Sequence, residues 1–203
     1  MGNKVVILGT AHGANVAGKQ SPDGRLREYK YSREICARVK DALTSEGIEC
    51  HIDYEPDLVP LNSKGTENLA VRVAVVNGIA KRVGASNCIY VSSHNNAAGC
   101  SGWRTARGFC VYVSSNASEA SKRMARIIQD HAIELGLEGN RCYPKTGYYI
   151  EPFYVIKNTT CPAVLTENLF QDNKSDVEFL LSDAGKDTIV RLHVDAIKEY
   201  LGV

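Results

Sequence analysis

No apolar stretch of this 203-residue chain approaches the ~18–20 residues needed to span a bilayer. A secretory signal is missing as well. Met1-Gly2-Asn3-Lys4 runs directly into Val5-Val6-Ile7-Leu8, without a long apolar region or a small-residue cleavage site. Gly2 does not start a myristoylation motif, because Val6 stands where Ser or Thr is required. Charge of one sign is lacking too: 24 Lys+Arg face 23 Asp+Glu, a formal net charge of +1, and the basic residues are scattered. Nucleic acid and anionic membrane surfaces need a basic excess or patch, so neither is expected as a partner. There is no Cys-x-x-Cys pair. The seven cysteines, at 36, 50, 88, 100, 110, 142 and 161, are odd in number and lie mostly in apolar runs such as Cys88-Ile89-Tyr90-Val91. They read as buried free thiols of a chain that folds in a reducing compartment. Repeats, low-complexity tracts and Pro/Gly/Ser linkers are also absent, which predicts one domain over 1–203.

What is present is an alternation of strands and helices. Val5–Leu8, Ile48–Ile52, Cys88–Val91, Phe109–Val113, Phe153–Ile156 and Ala163–Leu165 read as strands. Between them, Tyr31, Ile35, Val39 and Leu43 recur at helical spacing before Gly47, and 69–83 is a long helical pattern ending at Gly84. Residues 118–135 form another helix, with Met124, Ile127, Ile128 and Leu135 on one face. A last helix starts at Asp183 as cap and carries Val190, Val194, Ile197 and Leu201 as its stripe. This order predicts an α/β domain with a largely parallel sheet and helices on both faces.

In such sheets, ligands bind beyond the carboxyl ends of the strands. The first strand leads into Gly9-Thr10-Ala11-His12-Gly13-Ala14, the third into Ser92-Ser93-His94-Asn95-Asn96-Ala97, and the last into Thr166-Glu167-Asn168. Glu28 opens the first helix on the same rim. Two histidines and a carboxylate are a ligand set for catalytic zinc that leaves a position for water. A second, non-ligating glutamate supplies a base and then an acid. Each piece alone has an ordinary reading: a structural strand-end histidine, a helix-start acid, a turn-capping Glu167. The combination is far more specific. His51 falls inside a strand pattern, and His131 and His193 fall inside helices; none of the three is expected to ligate.

These residues resemble a known family, the catalytic domain of type 3 zinc-dependent N-acetylmuramoyl-L-alanine amidases. Four landmarks match in order: His12-Gly13 after an apolar strand, Glu28 at a helix start, Ser92-x-His94-x-Asn96-Ala97, and Pro162-Ala163-Val164-Leu165-x-Glu167. Arg72 with Asn77, and Gly108, are weaker echoes. The similarity runs from about Val5 to Leu201. It implies one zinc ion held by His12, Glu28 and His94, with Glu167 catalytic. It also implies a twisted, mostly parallel sheet of about six strands flanked by helices, and peptidoglycan or a muropeptide as substrate. Two departures stand out. The family's first motif is commonly Gly-His-Gly-Gly after an Asp, and its last continues Glu-x-Gly-Phe, whereas this chain has Gly9-Thr10-Ala11-His12-Gly13-Ala14 and Glu167-Asn168-Leu169-Phe170. The 99–107 stretch, with Trp103, Arg104 and Arg107, reads as a loop at the rim. Asn96, Trp103 and Arg107 are therefore candidate substrate contacts, although Trp103 fits a plain surface loop equally well.

Competing readings are a binding module on a degenerate amidase fold, and another zinc amide hydrolase such as a carboxypeptidase or deacetylase. The start without an export signal suggests cytoplasmic synthesis and release onto the wall, as for a phage endolysin. The alternative is an exported enzyme whose signal has been removed.

Overall fold

The computed structural model describes residues 4–99, 101–140 and 143–203. Its strands are β1 (Val5–Thr10), β2 (Cys50–Ile52), β3 (Cys88–Asn96), β4 (Cys110–Val113), β5 (Tyr149–Ile150) and β6 (Ala163–Phe170). They form one sheet in the order β2-β1-β3-β6-β4-β5. All neighbouring pairs are parallel except β4 against β6. The helices are α1 (Glu28–Ser45), α2 (Ala70–Val83), α3 (Glu119–Glu134), α4 (Tyr154–Lys157), α5 (Lys174–Leu181) and α6 (Asp183–Leu201).

Helices cover both faces because both faces of the sheet are apolar. On one face, Tyr31, Ile35, Val39 and Leu43 of α1 are buried with Met124 and Ile128 of α3 and Ile189, Leu192 and Ile197 of α6. Full burial of each such side chain contributes about 1.5–3 kcal/mol. On the other face, Val73, Val76 and Ile79 of α2 and Val155 and Ile156 of α4 pack on Val5, Ile7, Tyr90 and Leu165. Cys36, Cys50, Cys88 and Cys161 are buried free thiols, as their apolar surroundings suggest, and Cys110 is buried too; Cys100 and Cys142 lie outside the described residues. Among the described residues, no helix is long and apolar enough to cross a membrane.

The structure corrects the expected elements in three places. Residues 153–156 are not a strand: Lys157 N–H bonds the Phe153 carbonyl, closing the single turn of α4. A four-residue apolar run does not distinguish strand from buried helix. The last helix is capped by Ser182, whose hydroxyl accepts from Gly185 N–H, and Asp183 is its first helical residue. Its buried face is Ile189, Leu192, His193, Val194, Ala196, Ile197 and Tyr200, so Val194 and Ile197 of the expected stripe are buried while Val190 and Leu201 are only half-buried. Finally, β3 and β6 continue past their apolar stretches, so His94 and Glu167 stand within strands, paired opposite each other.

Candidate metal centre

From β1 the chain passes through α1 to β2 on one side, then through α2 to β3 on the other side of β1. The strand order therefore reverses between β1 and β3, and such a switch point leaves a crevice at the carboxyl ends. His12 leaves β1 into that crevice, and His94 points into it from β3.

The turn at His12 is held against strain. His12 has φ 42°, the left-handed region that non-glycine residues rarely adopt. Its carbonyl accepts from Arg33 Nη2 at 3.0 Å and Arg72 Nη2 at 2.9 Å, and Ala11 N–H donates to Ser32 Oγ at 2.9 Å. Gly13 is required for space: a Cβ there would lie 2.8 Å from Val59 Cγ2 and from Asn15 Oδ1.

Glu28 is the first residue of α1 and only 2% exposed. Its Oε1 accepts from Asn95 N–H at 3.1 Å and lies 3.1 Å from His94 Nδ1, and its Oε2 is 3.6 Å from His12 Nε2. The two imidazoles meet edge to face, with centroids 5.2 Å apart. One potential ligand atom each from His12, Glu28 and His94 fall within 4.8 Å of one another. This donor set fits zinc: with bonds of about 2.0–2.1 Å, a tetrahedron has edges near ~3.4 Å, close to the 3.1 and 3.6 Å that separate Glu28 from the two imidazoles. His51, His131 and His193 lie elsewhere, against Glu49, Glu199 and Thr166 respectively.

Electrostatics support a cation at this point. Burial raises the Glu28 carboxyl, but hydrogen bonding to His94 and the charges of His12, His94 and Lys19 outweigh it, so it sits below its ordinary value. Burial pushes the His94 imidazole below its usual value, against the pull of Glu28. Glu167 is raised well above the carboxylate range, first by burial and then by the charge of Glu28, with Lys19 opposing. Two carboxylates buried at one crevice repel, and a divalent cation relieves that repulsion.

The crevice opens into a cleft of about 370 Å³. Its lining is polar at Lys19, Asn96 and Gln171 and apolar at Leu69 and Phe153–Val155. Glu167 lines it with His12, Glu28 and His94. Glu167 Oε2, Asn96 Nδ2 and Gln171 Oε1 are buried without a hydrogen-bond partner. Trp103 and Arg107 do not line the cleft: Trp103 is 38% exposed, and Arg107 Nε lies 3.4 Å from Asp176 Oδ1. Their loop is fastened by Arg104 N–H to the Asp172 carbonyl at 2.7 Å. Gln171, Lys19, the α4 wall and Glu67, which holds His12 Nδ1 at 2.9 Å, escape a reading of the sequence. Gln171 had the clearest signal, since it directly follows the Glu167–Phe170 segment. Burial pushes the Glu67 carboxyl up, but hydrogen bonds and charge from His12 and Arg72 bring it down to about 2.

The sequence profile of the N-acetylmuramoyl-L-alanine amidases matches residues 6–199. The chain belongs to that family. This amidase is 29% identical to the endolysin of Bacillus phage SPP1 over 202 residues, 99% of this chain and 67% of the phage protein. Its fold is that of the catalytic domain of CwlV, an N-acetylmuramoyl-L-alanine amidase from Bacillus (Paenibacillus) polymyxa var. colistinus. The TM-score is 0.77 at 24% identity, covering 98% of this chain and 99% of that one. An N-acetylmuramoyl-L-alanine amidase from Clostridium difficile 630 superposes with TM-score 0.80 at 20% identity, covering 98% of each chain. The amidase fold, with its six-stranded, mostly parallel sheet between helices, is the one the sequence resemblance implied.

Proposed function

We propose that this amidase is zinc-dependent, that His12, Glu28 and His94 hold one zinc ion, and that Glu167 is its acid–base residue. We also propose that it acts on the cell wall as an endolysin does, a setting supported by its similarity to the phage SPP1 endolysin. The observation that carries the chemistry is the convergence of two imidazoles and a buried carboxylate, with Glu167 opposite His94 on the paired strand.

A zinc ion at these ligands supplies Lewis acidity, polarising the scissile carbonyl and lowering the pKa of water beside it. His12 and His94 are neutral in this arrangement, each keeping one ring N–H. Glu167, with an oxygen free of protein partners, takes the proton of the attacking water. It then delivers that proton to the L-alanine nitrogen as the amide bond to the lactyl group of muramic acid breaks. Asn96 Nδ2 and Gln171 Oε1, unpaired within the protein, are available to orient the peptide stem, and the apolar residues at α4 in the lining help to exclude water.

The test is digestion of peptidoglycan with and without chelator and added zinc, with products identified by mass spectrometry. Stem peptides with a free L-alanine amino terminus should appear, vanish on chelation and return with zinc. Release of terminal residues alone would identify a carboxypeptidase instead. Zinc bound without any product would identify a binding module.

A further inference from the structure

Each imidazole of the proposed zinc site is gripped at the nitrogen that faces away from the crevice, and both grips belong to one buried set of groups. On one side, His12 Nδ1 lies 2.9 Å from Glu67 Oε2, and Glu67 Oε1 accepts from Arg72 Nε at 2.8 Å. Arg72 Nη1 donates to Asp53 Oδ1 at 3.0 Å. On the other side, the Tyr90 hydroxyl donates to Asp53 Oδ2 at 2.9 Å. The Tyr90 oxygen is 3.5 Å from Ser92 Oγ, which is 3.1 Å from His94 Nε2. Tyr90, Ser92 and His94 alternate along β3, so all three side chains stand on one face of the sheet. Arg72 and Asp53 are each 3% exposed, and Tyr90 and Ser92 each 1%.

The donors and acceptors run in one sense. Tyr90 commits its proton to the Asp53 carboxylate, so its oxygen accepts from the Ser92 hydroxyl. Ser92 is then left to accept from His94 Nε2–H, which leaves the lone pair on Nδ1, the nitrogen facing Glu28. Likewise the Glu67 carboxylate accepts from His12 Nδ1–H, leaving the lone pair on Nε2, which also faces Glu28. Gly9 makes room for the hydroxyl chain, since a Cβ there would fall 2.3 Å from the Tyr90 hydroxyl and 2.8 Å from Ser92 Oγ.

We propose that Glu67 and Tyr90 are positioning residues of the metal centre. Glu67 acts directly on His12 and Tyr90 acts through Ser92 on His94, while Arg72 and Asp53 tie the two grips into one frame. The inference rests on the zinc reading above. Partners of this kind set the tautomer and aim of a ligating imidazole, and their loss typically weakens metal binding by about 10–100-fold.

The test measures zinc affinity of the full chain by competition with a chromogenic chelator, together with the visible absorption of the cobalt-substituted protein. Wild type, Glu67→Ala, Glu67→Gln and Tyr90→Phe are compared. The expected result is an affinity loss of about 10–100-fold for Glu67→Ala, with partial recovery in Glu67→Gln, whose amide oxygen still accepts from His12. Tyr90→Phe, which removes one hydroxyl and keeps the packing, should weaken binding less and shift the cobalt spectrum. Folded Glu67→Ala and Tyr90→Phe proteins with wild-type affinity and an unchanged cobalt spectrum would overturn the inference while leaving the zinc reading intact. A wild-type chain that binds no zinc would overturn both.

Discussion

His12 occupies a conformation that costs of order 1–3 kcal/mol for a side-chain-bearing residue, and two guanidinium groups on its carbonyl hold it there. The neighbouring Gly13 lets Val59 and Asn15 close over the turn. Gly13→Ala should therefore force that contact apart, a loss of roughly 1–3 kcal/mol. In a thermal melt this corresponds to about 2–4 °C of Tm for each kcal/mol in a chain of this size; an unchanged Tm would mean that the Val59 loop yields freely. Leu169 is a second strained residue, at φ 62°. It stands where the family pattern carries glycine, within the stretch where the β3–β6 register shifts between the His94–Glu167 and Asn96–Phe170 pairs. Burial of its side chain in the main core offsets the backbone cost. The placement of His12, Glu28, His94 and Glu167 about one crevice was legible because each follows a short apolar run or opens a helix. Glu67 was not, since it lies in an irregular polar segment without periodicity, and Tyr90 looked like any apolar strand residue.

At the scale of elements, the two strands that carry His94 and Glu167 continue past their first apolar runs. Beyond Val91 and Leu165 the pairing is kept by polar groups: Asn95 Nδ2 donates to the Asn168 carbonyl at 2.6 Å, and Asn168 Nδ2 to Ser93 Oγ at 2.8 Å. Hydropathy cannot reveal such a continuation, because the side chains satisfy one another only once the strands are adjacent. β5 is two residues long, and α5 is eight residues and starts at an Asn173 cap; neither is long enough to show a clear period. The link between β6 and α6 gives an element-scale prediction. His193, 2% exposed, donates Nδ1–H to the Ile189 carbonyl at 2.8 Å and lies 3.1 Å from Thr166 Oγ1. Burial holds its pKa below 6.5, so the unfolded chain takes up a proton first as pH falls. Its contribution is fully present above pH ~6.5 and is lost as pH falls from there through the folded-state value. Melts of the chelator-treated protein should show a smaller drop between neutral and mildly acidic pH for His193→Asn than for wild type. Equal drops would remove His193 from the acid response.

For the whole molecule, no single element makes the site. His12 follows β1, Glu28 starts α1, His94 is in β3 and Glu167 in β6, and only the reversal of strand order beside β1 brings them to one crevice. The alternation of strands and helices made that architecture readable. The sequence pattern did not fix which strand runs antiparallel, or that 153–156 would turn into a helix and wall the cleft. The most direct measurement is zinc content and peptidoglycan turnover of His94→Ala and Glu167→Gln side by side. Glu167→Gln should keep one zinc per chain and lose turnover by ~10²–10⁴-fold, the usual worth of a general acid–base group, while His94→Ala should lose both. A Glu167→Gln enzyme that still cleaves at the wild-type rate, or a His94→Ala chain that still holds its zinc, would contradict the assignment.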